Sequence, residues 1–191
     1  EIDTEAFEVS MKSQKTMARE SGKFNTTKTL PYEGTDTEFL GYIDTYSSSK
    51  ILAMFKDGNE VNELKVGDEA ILILDKSPFY AESGGQVGDS GYIKTNRGKF
   101  YVQDTIKIKK TIFGHIGVLE TGSLKCNEQV EASIDEHRRD DIKRNHSVTH
   151  LLHKALKIVL GDHVEQKGSL VDNLKTRFDF SHTKPISNDE I

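Results

Sequence analysis

The chain has 191 residues, of which 35% are hydrophobic and 30% are charged, and its formal net charge is −5. This composition is typical of a soluble globular protein of one or two domains and excludes an intrinsically disordered one. No apolar run approaches the roughly 18 residues of a membrane helix, and the single cysteine, Cys126, excludes an internal disulfide framework. We therefore expect a cytoplasmic protein with no membrane partner. Because the chain opens on Glu1 instead of Met, we also expect a fragment or a processed product.

Charge is distributed unevenly along the chain. Residues 1–69 hold eight Lys or Arg against fourteen Asp or Glu, a net of −6. Residues 94–110 hold six basic residues against one acidic (+5), and residues 137–157 hold six against two (+4). Basic segments of this kind attract polyanions such as nucleic acids. A solvated surface explains the same charges about equally well, and the overall negative charge argues weakly against nucleic acid.

The first predicted element is a helix over residues 1–21. Its apolar residues recur on one face, formed by Phe7, Met11 and Ala18. Gly22 suits a helix C-terminus, and Pro31 marks a linker. We assign residues 1–30 to this helix and its linker, as the end of a domain that lies upstream.

Residues 31–134 are predicted to form a small antiparallel β-barrel. Short strand-like segments follow one another with no helix between them: EFLGYID, KILAMF, EAILILD, GKFYVQDTIKI and QVEASID. The stretches KDGNE and TNRGK between them are typical hairpin turns.

Residues 135–191 return to helix and then to strand. The helix is predicted from an Asp135 cap to a Gly161 stop, with a break near Asn145 left open. Two strands follow, HVEQKGSLV and LKTRFDFSH, with a turn at Asp172-Asn173.

The last predicted feature is a capping box formed by Ser187 and Glu190, the signature of a helix that is beginning. The sequence stops within that first turn. We therefore expect the third region, residues 135–191, to be a truncated domain.

Three histidines lie close together in the stretch RNHSVTHLLHKAL, residues 144–156. On a helical wheel, His146, His150 and His153 fall within about 60° of one another, with Val148, Leu151 and other apolar residues opposite. We expect the apolar side to pack on the core, which leaves the histidines facing solvent or a pocket.

The histidine spacing suits a metal site, although the signal is weak. His146 and His150 are four residues apart, so their Cβ atoms are about 5–6 Å from each other and both rings can reach one zinc ion. His150 with His153 is the competing pair. A zinc site needs at least three protein ligands, and the further candidates, His163, His182 and Cys126, have no spacing argument.

The glycine-rich stretch SPFYAESGGQVGDSG, residues 77–91, is the other segment suited to chemistry. Its glycines permit positive φ and close approach of the backbone, so exposed N–H groups can hold an anion. The stretch matches neither the Walker A pattern nor the dinucleotide fingerprint. Taken alone, the stretch favours a tight turn between barrel strands over an anion site.

Four stretches together resemble alanyl-tRNA synthetase in order and spacing: SPFYAESGGQVGDSG, RNHSVTHLLHKAL, GDHVEQKGSLV and RFDFSH. They span about residues 77–182. The resemblance implies an α+β fold, with a small antiparallel β-barrel followed by a truncated α/β editing domain. It also implies that the N-terminal helix is the end of the tRNA-recognition region.

In that family this region edits, which implies hydrolysis of serine or glycine wrongly esterified to the alanine tRNA. The parent enzyme attaches alanine to its tRNA using ATP. The implied partners are the alanine tRNA and the rest of the synthetase chain, with no DNA. The implied cofactor is zinc, held by HxxxH and a downstream Cys-x-x-x-His; only HxxxH matches here, so we expect weak or absent zinc in this chain.

The resemblance also assigns the site residues. His146 and His150 match the metal ligands, Gln166 matches a position that shapes the amino-acid pocket, and Thr149 matches one that senses the serine hydroxyl. Because the glycine-rich loop lines the same cleft, its N–H groups are predicted to stabilise the oxyanion. The remaining predicted residues are Gly84 and Gly85 in the catalytic machinery and Arg144 and Gln86 in substrate binding.

Three alternatives stay open from the sequence. A freestanding deacylase of misacylated tRNA shares the last three signatures but usually lacks the N-terminal helix and linker. A non-catalytic tRNA-binding module would use the basic segments and leave the histidines without metal. An unrelated zinc hydrolase is disfavoured, because Ser147 stands where an HExxH motif has its glutamate.

Overall fold

The computed structural model of the protein describes Met11 and residues 30–191. Met11 is helical, and the rest of the helix predicted over residues 1–21 lies outside the described residues. The chain forms two compact units, residues 1–32 and residues 33–191. The domain borders predicted at residues 30 and 134 stay predictions.

The second unit consists of a strand-rich part followed by a long helix and a hairpin. Its elements are β1 (Glu38–Phe39), β2 (Tyr46–Lys56), β3 (Asn59–Glu60), β4 (Glu63–Lys65), β5 (Glu69–Leu74), β6 (Lys76–Ser77), β7 (Gly91–Lys94), β8 (Gly98–Lys109), β9 (Ile112–Lys125), β10 (Gln129–Ile134), α1 (Glu136–Leu160), β11 (Glu165–Val171) and β12 (Thr176–Ser181). The α+β class predicted from the sequence is confirmed.

Six antiparallel strands close into a barrel in the order β2, β5, β9, β8, β7 and β10, and β10 pairs back with β2. The strands alternate between inward and outward side chains, as in β10, where Val130, Ala132 and Ile134 point inward. The barrel core also contains fully buried Phe100 and Leu119. Closure leaves these strands without a free edge, and each large apolar side chain buried in this way contributes about 1.5–3 kcal/mol.

The predicted hairpin turns are present. Asp57 and Gly58 have φ values of 51° and 79° between β2 and β3, which fits the primed turns that suit tight hairpins. In the second turn, the Thr95 amide donates to the Gly98 carbonyl at 2.8 Å.

Three parts of the barrel differ from the predicted strands, and the first is the short strand β7, which was not predicted. The longest strand, β9, was absent from the prediction, because glycines interrupt its apolar pattern. Gly117 lies so close to β8 that an added Cβ would sit 1.9 Å from the Tyr101 carbonyl oxygen. Conversely, the predicted EFLGYID strand extends only over Glu38–Phe39, and the chain then turns at residues 41–43.

Helix α1 is continuous, so the break considered near Asn145 does not occur. Both predicted caps are formed: the Asp135 side chain accepts from the Arg138 amide, and the Gly161 amide donates to the Lys157 carbonyl. Instead of breaking the helix, Asn145 donates from its side chain to the Asp172 carbonyl at 2.8 Å. No helix within the described part of the chain is long and apolar enough to span a membrane.

The predicted inward face of α1 was wrong. Val148, Leu151 and Val159 on that face are 47%, 69% and 53% exposed, whereas Thr149 beside the histidines is buried. The reason is tertiary: the β11–β12 hairpin packs on the histidine side of the helix, and this contact overrides the hydrophobic pattern.

A buried ion pair fixes the start of α1 against the barrel. The Arg139 Nε lies 2.9 Å from both carboxylate oxygens of Asp89. The same guanidinium donates to the Gly41 carbonyl at 2.8 Å and to the Pro78 carbonyl at 3.0 Å. Every side of this buried cation is therefore hydrogen-bonded, which is the condition under which a buried charge is tolerated.

The hairpin β11–β12 is tied to the glycine-rich loop. The Val171 amide donates to the Gly85 carbonyl at 2.8 Å, and the Val87 amide donates to the Val171 carbonyl at 3.1 Å. The predicted turn after β11 closes through the Asp172 amide and the Lys175 carbonyl. Barrel loop, helix and hairpin thus meet at one place.

Candidate functional site

Where these three elements meet, they enclose a cavity of about 190 Å³, which we call the histidine pocket. It is lined by Gly84, His146, Thr149, His150, His153, Gln166, Ser169, Val171 and Phe178. Predicted site residues from three separate signatures therefore line one cavity.

His146 and His150 lie side by side at the pocket, with ring centroids 5.1 Å apart and ring planes 27° apart. The Nδ1 of His146 is 2.6 Å from the Gln86 side-chain oxygen. Because that oxygen only accepts, Nδ1 is the donor of this hydrogen bond, and in the neutral form of the ring Nε2 has the lone pair. A hydrogen bond of this kind orients histidines that ligate metals or accept protons.

The donor set fits part of a zinc site. The tautomer of His146 leaves one nitrogen available for a metal, and His150 is within reach of the same ion. Among the described residues, however, no group of three His, Cys, Asp or Glu side chains is placed to hold a metal. His163 and His182, considered as further ligands, instead contact each other through ring nitrogens 2.8 Å apart, and Cys126 lies at the barrel, near the Leu52 carbonyl.

His153, which the sequence offered as a competing partner of His150, also lines the histidine pocket. Its ring packs against Phe178 with centroids 5.1 Å apart. The Nε2 atom is buried and has no hydrogen-bond partner within the described part of the chain. A third imidazole ring thus lies at the pocket wall, with this nitrogen buried.

The glycine-rich loop supplies backbone groups. Gly84 and Gly85 have φ values of 61° and 85°, which side-chain-bearing residues rarely adopt. The amides of Gln86 and Val87 donate to Ser83 and Val171, and the amide of Gly88 donates to the Asp104 carboxylate. Within residues 30–191, the amides of Gly84 and Gly85 donate no hydrogen bond; Gly84 lines the histidine pocket, and the predicted site residue Gly85 does not.

Thr149 on α1 and Gln166 on β11 both line the pocket. The Thr149 hydroxyl is 2.9 Å from the Asn145 carbonyl and 2.5 Å from the Thr176 hydroxyl, so it already links the helix to β12. Gln166 lies on β11 and is exposed. Its assigned role, like that of Thr149, stays a prediction.

The two predicted substrate-binding residues have different placements. Gln86 reaches the site through its hydrogen bond to His146. Arg144 does not line the histidine pocket, and its guanidinium forms an exposed ion pair with Asp141 one turn earlier in the helix. The structure therefore brings Gln86 to the site and leaves Arg144 away from it.

A second cavity, of about 350 Å³, adjoins the first, and we call it the aromatic pocket. It is lined by Phe39, Gly41, Tyr42, Tyr80, Gln86, Arg139, Lys143 and His146. Sequence reasoning missed it, because its aromatic residues come from segments about forty positions apart with no shared motif.

A serine and a histidine also meet inside the barrel, but their environment argues for a structural role. The His115 Nδ1 donates to the Leu72 carbonyl at 2.9 Å, and its Nε2 lies 2.7 Å from the Ser77 hydroxyl. Both residues are fully buried. Burial lowers the pKa of His115 from 6.5 to about 4, so the ring is neutral near pH 7, and no substrate can reach the hydroxyl.

Comparison with known proteins agrees with the signatures. Residues 1–138 match the family model of tRNA synthetases class II (A). Over 190 residues the chain is 50% identical to an alanine–tRNA ligase of Delftia acidovorans and 52% identical to one of Thiobacillus denitrificans. It is 51% identical over 191 residues to the enzyme of Neisseria meningitidis serogroup C.

These matches cover the whole chain but only 22% of each relative. The chain thus corresponds to an internal stretch of those ligases, and the resemblance to alanyl-tRNA synthetase is confirmed. Because the family model matches well over half of the residues, the chain belongs to the class II (A) tRNA synthetase family.

Proposed function

We propose that this chain is the part of an alanine–tRNA ligase that hydrolyses serine or glycine wrongly esterified to the alanine tRNA. Under the same proposal, the parent enzyme attaches alanine to that tRNA using ATP. The observation that carries the proposal is the histidine pocket, which gathers His146, His150, Gln166 and Gly84 from three family signatures into one cavity.

The proposed hydrolysis requires only two catalytic tasks of this pocket. An aminoacyl ester is already activated, so the pocket has to place a water molecule near the carbonyl carbon and stabilise the oxyanion that forms. We assign the amide of Gly84, which lines the pocket, to that oxyanion, together with the neighbouring amide of Gly85. One preorganised donor of this type is worth about 3–4 kcal/mol in the transition state.

The histidines orient the ester end of the substrate. His146 is held by Gln86 with its Nε2 lone pair available, and His150 lies beside it. If zinc is present, His146 and His150 would hold it, and the ion would supply Lewis acidity at the ester. Two protein ligands hold zinc weakly, so purified chain is expected to lose zinc on dialysis. Near-stoichiometric zinc that disappears in His146→Ala would contradict this expectation.

Selectivity against correctly attached alanine requires polar partners for the serine hydroxyl. A site built to hydrogen-bond a hydroxyl strongly rejects the analogue that lacks it. Gln166 offers a free amide at the pocket. The Thr149 hydroxyl already contacts the Asn145 carbonyl and the Thr176 hydroxyl. It can still form one further hydrogen bond with the serine hydroxyl.

The proposed partners are the alanine tRNA and the remainder of the ligase, with no membrane and no DNA partner. The basic segment over residues 137–157 covers all but the ends of α1, which lines the pocket. Its exposed basic residues suit an RNA backbone, whereas Arg139 is buried against Asp89 and takes no part in that surface. Action in the cytoplasm stays a prediction.

The experiment measures deacylation of Ser-tRNA and Ala-tRNA, both on the alanine tRNA, by the full-length ligase that carries this chain. We expect hydrolysis of Ser-tRNA only, and a loss of at least 100-fold in His150→Ala. His137→Ala, at an exposed position on the same helix, is the matched control. Equal rates in His150→Ala and the unaltered enzyme would refute the proposal.

A second candidate is a tRNA-binding module without activity of its own. It is favoured by one observation: no three-ligand metal group exists within the described residues. For the isolated 191-residue chain both candidates predict tRNA binding with little turnover of Ser-tRNA, so the His150→Ala assay in the full-length ligase distinguishes them: a binding module predicts no loss of deacylation in that variant. Robust hydrolysis by the isolated chain would exclude the binding module and show that the site needs no further ligand.

A further inference from the structure

We propose that the aromatic pocket binds the nucleobase of the 3′-terminal nucleotide of the RNA whose ester is bound in the histidine pocket. The inference rests on the proposed function and adds a second subsite to it. Its ligand is a base, recognised by stacking on aromatic side chains.

The two pockets are neighbours that share a wall. His146 lines both of them, and its hydrogen-bond partner Gln86 lines the aromatic pocket. In an aminoacylated RNA, the ester and the base are attached to the same ribose. When the ester occupies one side of the His146–Gln86 pair, the base has to lie in an adjoining space, and the aromatic pocket is such a space.

The walls of the aromatic pocket suit a flat ring. Phe39 and Tyr42 meet edge to face with centroids 4.9 Å apart, and Tyr80 lies 6.2 Å from Phe39 in a similar arrangement. Tyr42 is 87% exposed, so its ring surface is open to a ligand. Stacking of a base on an aromatic side chain is worth about 1–3 kcal/mol.

The exposed tyrosine sits on a fixed turn. The Arg139 guanidinium donates to the Gly41 carbonyl at 2.8 Å, and the Ile43 amide donates to the Leu40 carbonyl at 3.1 Å. Gly41 is packed so closely that an added Cβ would lie 2.2 Å from the Pro78 carbonyl oxygen. A ligand that stacks on Tyr42 therefore meets a preorganised surface, which lowers the entropic cost of binding.

Charge at the aromatic pocket also favours a nucleotide. No carboxylate is among its lining residues. The Lys143 ammonium lies 3.7 Å from Asp140 in an exposed pair, which contributes little and leaves the lysine able to meet a phosphate. The Arg139 guanidinium is already paired with Asp89. It therefore lines the aromatic pocket but is not available to bind a phosphate.

The test uses two RNA hairpins that mimic an acceptor stem with a single-stranded 3′ end, neither of them aminoacylated. One carries an intact terminal nucleotide, and the other carries an abasic ribose at that position. Fluorescence anisotropy measures the dissociation constant of each hairpin with the 191-residue chain. We expect the intact hairpin to bind about 10-fold more tightly, within the range of about 5-fold to 150-fold that one stacked base provides.

The ratio of the two dissociation constants, abasic over intact, is the quantity that reports stacking. The variant Tyr42→Ala should bring this ratio close to one, because it removes the stacking surface. Its fold should be unaffected, since the side chain is mostly exposed. Tyr42→Phe should keep the ratio, and Tyr46→Ala, an exposed tyrosine outside the pocket, is the control. A ratio near one in the unaltered chain, or an unchanged ratio in Tyr42→Ala, would overturn the proposal. Binding of free AMP as tight as that of the intact hairpin would also overturn it.

This measurement is independent of hydrolysis. If the ratio depends on Tyr42 while Ser-tRNA is not hydrolysed by the full-length enzyme, the base subsite stands and the editing function fails. If Ser-tRNA is hydrolysed while the ratio is the same in Tyr42→Ala as in the unaltered chain, the editing function stands and the base subsite fails.

Discussion

The barrel and the helix–hairpin region that follows it place their apolar and polar side chains differently. The barrel pairs its six main strands with one another and buries the large apolar side chains of its core, such as Phe100 and Leu119, completely. Helix α1 exposes an apolar face and turns its polar histidines toward the hairpin and the barrel loop. The comparison teaches that the barrel supplies rigidity, while the helix–hairpin region arranges polar groups around a pocket.

The largest expected effect comes from breaking the link between the two regions. Arg139→Ala leaves the Asp89 carboxylate buried without its partner and removes the bonds to Gly41 and Pro78. We expect the free energy of unfolding to fall by about 3–5 kcal/mol, measured by urea denaturation. Arg144→Ala, which breaks only an exposed ion pair, should cost less than about 1 kcal/mol. Similar losses in both variants would show that the buried pair does not anchor the helix.

The second prediction concerns the barrel interior and pH. The folded pKa of His115, about 4, lies below the unfolded value of 6.5. Below pH 6.5, His115 is therefore protonated in the unfolded chain but stays neutral in the folded chain. As a result, the free energy of unfolding falls as the pH drops toward 4. The difference of about 2.5 in pKa corresponds to about 3 kcal/mol, and above pH 6.5 this contribution is constant.

Urea denaturation at pH 7 and at pH 4.5 measures that dependence. His115→Gln should show a smaller loss between the two pH values than the unaltered chain, whatever its stability at pH 7. The matched control is His137→Gln, at an exposed position, which should keep the full loss. An identical pH dependence in His115→Gln would rule out His115 as its source.

The third prediction compares two adjacent glycines in the loop that joins the regions. A Cβ at Gly85 would lie 2.3 Å from the Ser169 carbonyl oxygen, whereas a Cβ at Gly84 has nothing within 4 Å. Both have positive φ. Gly84→Ala should therefore lower the free energy of unfolding by about 1–2 kcal/mol, because it adds only backbone strain. Gly85→Ala should cost about 1–3 kcal/mol more, because it also overpacks the hairpin. Equal losses in urea denaturation would show that the loop and hairpin are not in tight contact.

The smallest expected effect lies on the exposed face of α1. Leu151→Gln should change the free energy of unfolding by no more than about 0.5 kcal/mol, because its side chain packs on little. Leu119→Ala in the barrel core should cost about 2–5 kcal/mol. A large loss in Leu151→Gln would mean that this face is covered in the isolated chain and would remove the contrast between the regions.

The sequence predicted those features that depend on local patterns. Four of the six barrel strands (β2, β5, β8 and β10), both strands of the hairpin, and the caps at Asp135 and Gly161 were anticipated from the residues themselves. Each relies on residues whose type alone restricts the backbone or the chemistry. The meeting of the 77–91 loop with His146 was anticipated from the family resemblance and is a contact between distant residues.

Other features that depend on distant contacts were not predicted. Strand β9 has glycines where neighbouring backbones approach, so it lacks the apolar alternation of its partners. The inward face of α1 was misassigned, because hairpin packing decides it. The aromatic pocket combines Phe39, Tyr80 and Lys143, and nothing in the sequence shows that these positions are close.

One hydrogen bond, from His146 Nδ1 to the Gln86 side chain, connects the barrel loop to α1 inside the proposed hydrolytic site. The most direct measurement is therefore the rate of Ser-tRNA deacylation by the full-length ligase with Gln86→Leu, beside Gln103→Leu on the exposed barrel surface as control. We expect Gln86→Leu to lower this rate about 10-fold to 100-fold, with alanine attachment unchanged. A deacylation rate in Gln86→Leu equal to that of Gln103→Leu would contradict a hydrolytic site shared by the two regions.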